Sequence, residues 1–331
     1  MRWLALSDHD APITETGIEN IVRRATLVLD LTLPKTGASV LLDFRATVGW
    51  PRTFSILYDA SHGITLLHRQ GETALRHHLP GPLPQNWAHA RLTYQWDGPA
   101  RTWCLRLEDD AGTWAHQSQG ANPMPITHAD LLALCSGPNA ARRDASVQWF
   151  GICTGQPDSA PSAWIGARTP VQTPRGPVLA TDLRPGDLVE TLDRGAQPIL
   201  SLGKMTLPNR GRFAPVLLRA PYFANGVDLL VAPAQLTLLS GAGVEYLFGE
   251  DAVLATAASL RDGNSALSDT RRPVTACISL DLGKPVLIFA GGCPLLCSPD
   301  AATALPYRLL HDYEVLPLQA LLGRGGQRNA A

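Results

Sequence analysis

The segment Val171–Asp193, VQTPRGPVLATDLRPGDLVETLD, packs two short apolar runs, two turn signals and two more apolar runs into a single stretch. The turns are Pro174-Arg175-Gly176 and Arg184-Pro185-Gly186-Asp187. Proline presets φ near about −65° at the second position of a turn, and glycine accepts the positive φ that follows. Val171, Val178 and Leu179, then Leu183, Leu188 and Val189, supply the apolar residues of the flanking strands. The pattern predicts a meander of short strands.

The rest of the chain is punctuated in the same way, with 27 prolines and 29 glycines in 331 residues and little helical periodicity. Short alternating runs bounded by turn residues predict an all-β protein. In the first half the expected strands are Thr26–Leu33, Ser39–Thr47, Thr53–Tyr58, Gly63–His68, His89–Trp96, Thr102–Glu108 and Val147–Cys153. Only Thr127–Cys135 is expected to be a helix, with Thr127 as cap and Asp130 as a capping-box variant. This many strands over residues 1–154 suggests an antiparallel β-sandwich of two packed sheets. The polar, proline-bearing GQPDSAPS marks residues 155–163 as a linker. A second β domain is expected over 164–323, with a disordered tail at 324–331. Its strands are expected at Leu188–Leu192, Val216–Arg219, Leu229–Ala232, Leu236–Leu239, Val244–Phe248, Thr275–Leu280, Pro285–Phe289 and Tyr307–Leu318.

The meander at Thr169–Asp193, the block Asp228–Leu236 with the turn at Leu238–Gly241, and Tyr246–Asp251 with a looser echo at Leu309–Val315 resemble the bacterial Hint (hedgehog/intein) family. The N-terminal strand count and spacing resemble the concanavalin/laminin-G class of lectin-like sandwiches. The Hint resemblance implies self-cleavage or splicing. A thiol or hydroxyl residue attacks the carbonyl before it, and a histidine protonates the departing amide nitrogen. The residues matching the family's reacting places are Trp164 for the nucleophile, Ala232 and Gln235 for the Thr-x-x-His pair, and Tyr313 for a C-terminal histidine. None of them can perform those steps. Of nine histidines only His311 falls in this half, and Cys277, Cys293 and Cys297 lie far downstream of the nucleophile's place. The expectation is therefore a non-catalytic binding or scaffold protein with a degenerate processing domain and no catalytic residues. The alternative is autoproteolysis near residues 161–165, using Ser162 or Thr169 as hydroxyl nucleophile with help from His311. A second alternative is carbohydrate binding by the sandwich.

Other clusters have plainer readings. Cys293 and Cys297 have a spacing near that of metal ligands, but the apolar spacer favours packing, so no metal or other cofactor is expected. His77-His78 would point to opposite faces of a strand. Trp50, Trp87, Trp96, Trp103, Trp114 and Trp149, with Tyr58 and Tyr94, are expected in the core, or alternatively as a sugar-stacking platform with Asp59, His62 and Asn86 nearby. Asp8, Asp10, Asp109 and Asp110 are read as solvated turn acids rather than calcium ligands. Arg142-Arg143 and Arg271-Arg272 are read as solvated loop charges.

A net charge of −1 gives no case for nucleic acid or an anionic membrane, and no apolar run approaches the length of a spanning helix. The partner is expected to be a protein or a glycan. MRWLALSDHDAPITETG turns acidic early and lacks the apolar centre of a secretory signal. Together with scattered cysteines, this makes a reducing cytoplasm the expected compartment, with signal-less export left open.

Overall fold

The computed structural model describes residues 2–7, 20–33, 37–47, 49–84, 87–109, 114–136, 140–155, 163–297 and 305–328, with side chains through residue 320. The chain divides into two compact units, Met1–Ala160 and Pro161–Ala331.

The first unit contains β1 (Arg2–Leu6), β2 (Ile21–Val22), β3 (Arg24–Thr32), β4 (Ala38–Ala46), β5 (Arg52–Asp59), β6 (Gly63–Gln70) and β7 (Thr73–Pro80). They are followed by β8 (His89–Asp97), β9 (Thr102–Asp109), β10 (Ala115–Ala121), β11 (Ile126–Thr127), α1 (His128–Cys135), β12 (Arg142–Arg143) and β13 (Val147–Thr154). One sheet runs β1-β13-β3-β8-β9-β10, the other β12-β4-β5-β6-β7, and β11 pairs with β2. All pairings are antiparallel, so alternate residues face the core: Leu27, Leu29 and Leu92 from one sheet, Phe54, Ile56 and Leu66 from the other, all buried. Thr127 caps α1, its hydroxyl accepting from the Asp130 amide at 3.1 Å.

Strands β1, β7 and β10 fall outside the runs expected from sequence. Strand β10, AHQSQGA, is an edge with no buried residue, and β7 carries LRHHL, so neither shows a clean apolar alternation. Arg142 and Arg143 form a short strand beside β4, which corrects their reading as loop charges. Two residues recruited by hydrogen bonding to an existing edge carry no hydrophobic signature.

The second unit contains β14 (Ile165–Gly166), β15 (Pro170–Thr173), β16 (Gly176–Leu179), β17 (Leu188–Thr191), β18 (Gly195–Pro198), β19 (Ser201–Pro208), β20 (Val216–Leu218) and β21 (Leu229–Val231). Then come β22 (Leu236–Ser240), α2 (Ala242–Phe248), β23 (Ala252–Thr256), β24 (Ala266–Ser268), β25 (Val274–Asp281), β26 (Val286–Ala290), β27 (Cys293–Cys297) and α3 (Asp312–Arg328). One sheet is β19-β25-β14-β21-β20-β24; the other joins β16-β15-β26-β27-β22-β23, with β17 pairing both β18 and β26. The expected meander is present. Gly176 (φ +107°) and Gly186 (φ +93°) occupy the left-handed side of the backbone map. The Thr173 hydroxyl and the Asp187 carboxylate close the two turns, at 2.6 Å to Gly176 O and 2.8 Å from Arg184 N.

Two expected strands are helices. In α2, Val244, Leu247 and Phe248 fall at helical spacing on one side, and the Gly249 amide closes the last turn on Glu245 O. In α3, Val315 and Leu318 are buried one turn apart, and Glu314 reaches back to accept from the His311 amide at 2.9 Å, half of a capping box. This helix continues through Arg328, into the stretch expected to be a disordered tail; residues 329–331 lie outside the described residues. No helix among the described residues is long and apolar enough to cross a membrane.

Inside the sandwich, His68 and His77 are each 3% exposed, and burial pushes both imidazoles down to about 4. In the unfolded chain they titrate near about 6.5. Between these values the unfolded state binds more protons, so stability is full above about pH 6.5 and is lost as pH falls toward 4. The slope is at most about 1.4 kcal/mol per pH unit for each ring. The urea midpoint of the sandwich transition should fall between pH 7 and pH 5, and His77→Phe should flatten that dependence. A midpoint independent of pH would contradict it.

Candidate functional site

Trp164 leads into β14, a two-residue strand with a neighbour on each edge. Ile165 pairs with Val231 of β21 and with Ile278 of β25, and Gly166 pairs with Cys277. The Ala232 amide donates to Trp164 O at 3.0 Å, extending this ladder by one step. Trp164 thus sits opposite Ala232, and its ring is 3% exposed. Indole offers a single N–H donor and no nucleophilic atom for acyl transfer.

The Ala232–Gln235 segment turns on itself, the Gln235 amide donating to Ala232 O at 3.0 Å. The Gln235 side chain is 2% exposed, and its Nε2 donates to Leu296 O at 2.8 Å and to Leu236 O at 3.1 Å. The Ala257 amide donates to Gln235 O at 2.8 Å. Gln235 therefore ties the turn to β27 through the buried Leu296 carbonyl. A carboxamide neither gains nor loses a proton at ordinary pH, so this tie cannot protonate a leaving amide.

Cys277 is the residue that its distance in sequence concealed. Strand β25 brings it across the ladder from Gly166, two positions beyond Trp164. Its thiol is fully buried, burial pushes it up to about 12, and Sγ donates to Thr275 O at 3.3 Å. A thiol held protonated and hydrogen-bonded away is a packing group. Cys293 and Cys297 stand at opposite ends of β27, about 13 Å apart for four residues of strand, which is too far to share one ion. Burial pushes both thiols up to about 12.

The remaining sequence-chosen residues do not converge on Trp164. Ser162 lies outside the described residues. Thr169 is 5% exposed, its amide donating to Gly166 O and its carbonyl accepting from the Ala180 amide. His311 and Tyr313 are at the start of α3, their exposed rings stacked at 5.5 Å, not on one face of a strand. The chain just before them, Arg308 to Leu310, hydrogen-bonds to Leu254 of β23 in the other sheet.

The aromatic residues of the first unit separate into two groups. Tyr94 and Trp96 are buried and stacked at 5.5 Å; Trp149 is buried and its Nε1 donates to Asp30 at 2.8 Å. Trp114, by contrast, is 45% exposed, meets Trp87 edge to face at 4.7 Å, and stacks on His116 at 5.9 Å and 9°. Trp50 is 63% exposed. Asp59 is bound up in its own turn, accepting from the Ser61 and His62 amides. Asp109 accepts from the Trp114 amide; Asn86, Asp8, Asp10 and Asp110 lie outside the described residues.

Residues 166–295 match the Hint domain family, and the second unit carries a domain of that fold. Among solved structures, the chain is similar to the gp41-1 intein (12% identity, 42% of this chain, 100% of that chain, TM-score 0.23). It is also similar to the CBM40 module of the Ruminococcus gnavus IT-sialidase (13% identity, 41% of this chain, 79% of that chain, TM-score 0.30). A third is the LG1-3 region of the laminin alpha2 chain (9% identity, 92% of this chain, 58% of that chain, TM-score 0.27). No curated protein sequence matches.

Removing the Gln235 side chain would leave the buried Leu296 carbonyl unpaired, so Gln235→Ala should cost about 1–3 kcal/mol of stability. Urea unfolding followed by circular dichroism checks this; a change under about 0.5 kcal/mol would show that the tie contributes nothing.

Proposed function

We propose that the second unit is a Hint fold kept as a scaffold, without self-cleavage, in a protein that acts by binding. The observation that carries this reading is Trp164, a buried indole at the place that matches the family's nucleophile. The neighbouring replacements agree with it: Ala232 supplies no hydroxyl, and Gln235 spends its side chain on a structural bridge. Autoproteolysis through the fallback residues is less well supported, because Thr169 is buried in its own turn and His311 lies beside β23.

Intact-mass spectrometry of the purified chain, with and without dithiothreitol or hydroxylamine, tests the proposal. The expected result is one species of full mass under every condition. Fragments ending within residues 161–165 would overturn it in favour of autoproteolysis.

A second reading concerns the first unit. The exposed Trp114 ring, braced by Trp87 and His116, supports carbohydrate binding by the sandwich, since an open indole face stacks on the apolar face of a sugar. The CBM40 neighbour has also been solved with alpha2,3 sialyllactose. A glycan array should give signals that Trp114→Ala removes while the melting temperature stays unchanged. A blank array, or signals that survive the substitution, would end this reading.

A further inference from the structure

The outward face of the five-stranded sheet has a charge pattern that the chain's net charge of −1 hides. Cross-strand register places Arg45, Thr53 and Arg69 in one row. The next row runs Arg142, Asp43, Ser55, Leu67 and Arg76 across all five strands. All four arginines are exposed. With adjacent strands about 4.8 Å apart, they trace a shallow arc about 19 Å long at right angles to the strands.

Asp43 is the carboxylate on these two rows. It accepts from the Ser55 hydroxyl at 2.6 Å and pairs with Arg45 Nε at 3.0 Å. Arg69 donates Nε to Gly71 O at 2.7 Å, and its terminal nitrogens have no partner among the described residues. The side chains of Arg76 and Arg142 have no hydrogen bond or ion pair among the described residues. Thr53 stands between Arg45 and Arg69 with its hydroxyl on the same face.

We propose that this arginine belt binds a linear anionic polysaccharide, sulfated or uronic, lying across the strands. Guanidinium groups pair bidentately with sulfate and carboxylate oxygens. An arc of spaced cations suits a polymer with repeating charge; a single small anion would need converging donors, and here the cations are a strand or more apart. The nonpolar side chains of these rows and the next are Ala74, Leu67, Val40 and Leu57. None of the residues paired in these rows carries a phenyl, phenol or indole ring, so the belt itself offers no stacked platform for nucleobases or a neutral sugar; the exposed Trp50 ring lies beyond them, against Gly71.

The full chain should be titrated with heparin and with alginate by calorimetry at about 50 mM salt, alongside dextran and a single-stranded oligothymidine, because low salt favours charge pairing. The expected result is binding to at least one of the two anionic polysaccharides, weakening as salt rises, and none to dextran. The variant R69E/R76E should bind at least about ten-fold more weakly, since it removes two of the ion contacts and adds two repulsive charges. Its circular dichroism melt should match the parent. Absence of binding to both polysaccharides would overturn the proposal, as would equal binding by R69E/R76E or tighter binding of the oligothymidine. If R69E/R76E unfolds, Arg76→Gln and Arg142→Gln, both at exposed positions, supply the same comparison.

Discussion

The second unit depends on a strand of two residues. Ile165 and Gly166 are hydrogen-bonded on both edges, to β21 and to β25, and the bond from Ala232 to Trp164 O carries the ladder one residue upstream. That pairing fixes where residue 164 lies and what it faces. On the reading proposed above, this is the place where a self-cutting relative would carry its nucleophile. Here the same backbone delivers an indole to an alanine, and the nearby amide side chain bridges two carbonyls. Strand pairing specifies the fold through the backbone, and the chemistry depends only on which side chains the backbone carries. The two can therefore part without cost to the architecture.

How much of this was legible in the sequence depends on which residues carried the signal. Turns written in proline and glycine, as at Gly176 and Gly186, state their backbone geometry directly, and the meander followed from them; the Hint fold came from a family resemblance carried by this block and two others. Strands with a buried and an open face were equally clear. Segments whose fate depends on partners were not. The runs Val244–Phe248 and Tyr307–Leu318 contain β-favouring residues, yet Gly249 and the Glu314 cap close helices there, with burial at helical spacing. The pairing of Gly166 with Cys277 joins residues more than a hundred positions apart, which no local pattern reports.

Net charge is silent in a similar way. A value near zero excludes a globally basic protein, but it says nothing about segregation. The arginines at positions 45, 69, 76 and 142 are scattered in sequence, and only the register of five strands brings them onto one face. Sheet register, rather than composition, decides which charges act together.

The central claim is that Trp164 belongs to the packed interior and not to a reaction centre. The most direct measurement is the unfolding free energy of Trp164→Cys, which replaces the ring with the thiol that the proposed reading places there in a self-cutting relative. Removing a buried ring should cost about 3–5 kcal/mol, as such truncations do in well-packed cores. A variant as stable as the parent would contradict the account, because it would mean that the site accommodates a nucleophile and that the indole contributes nothing to the fold.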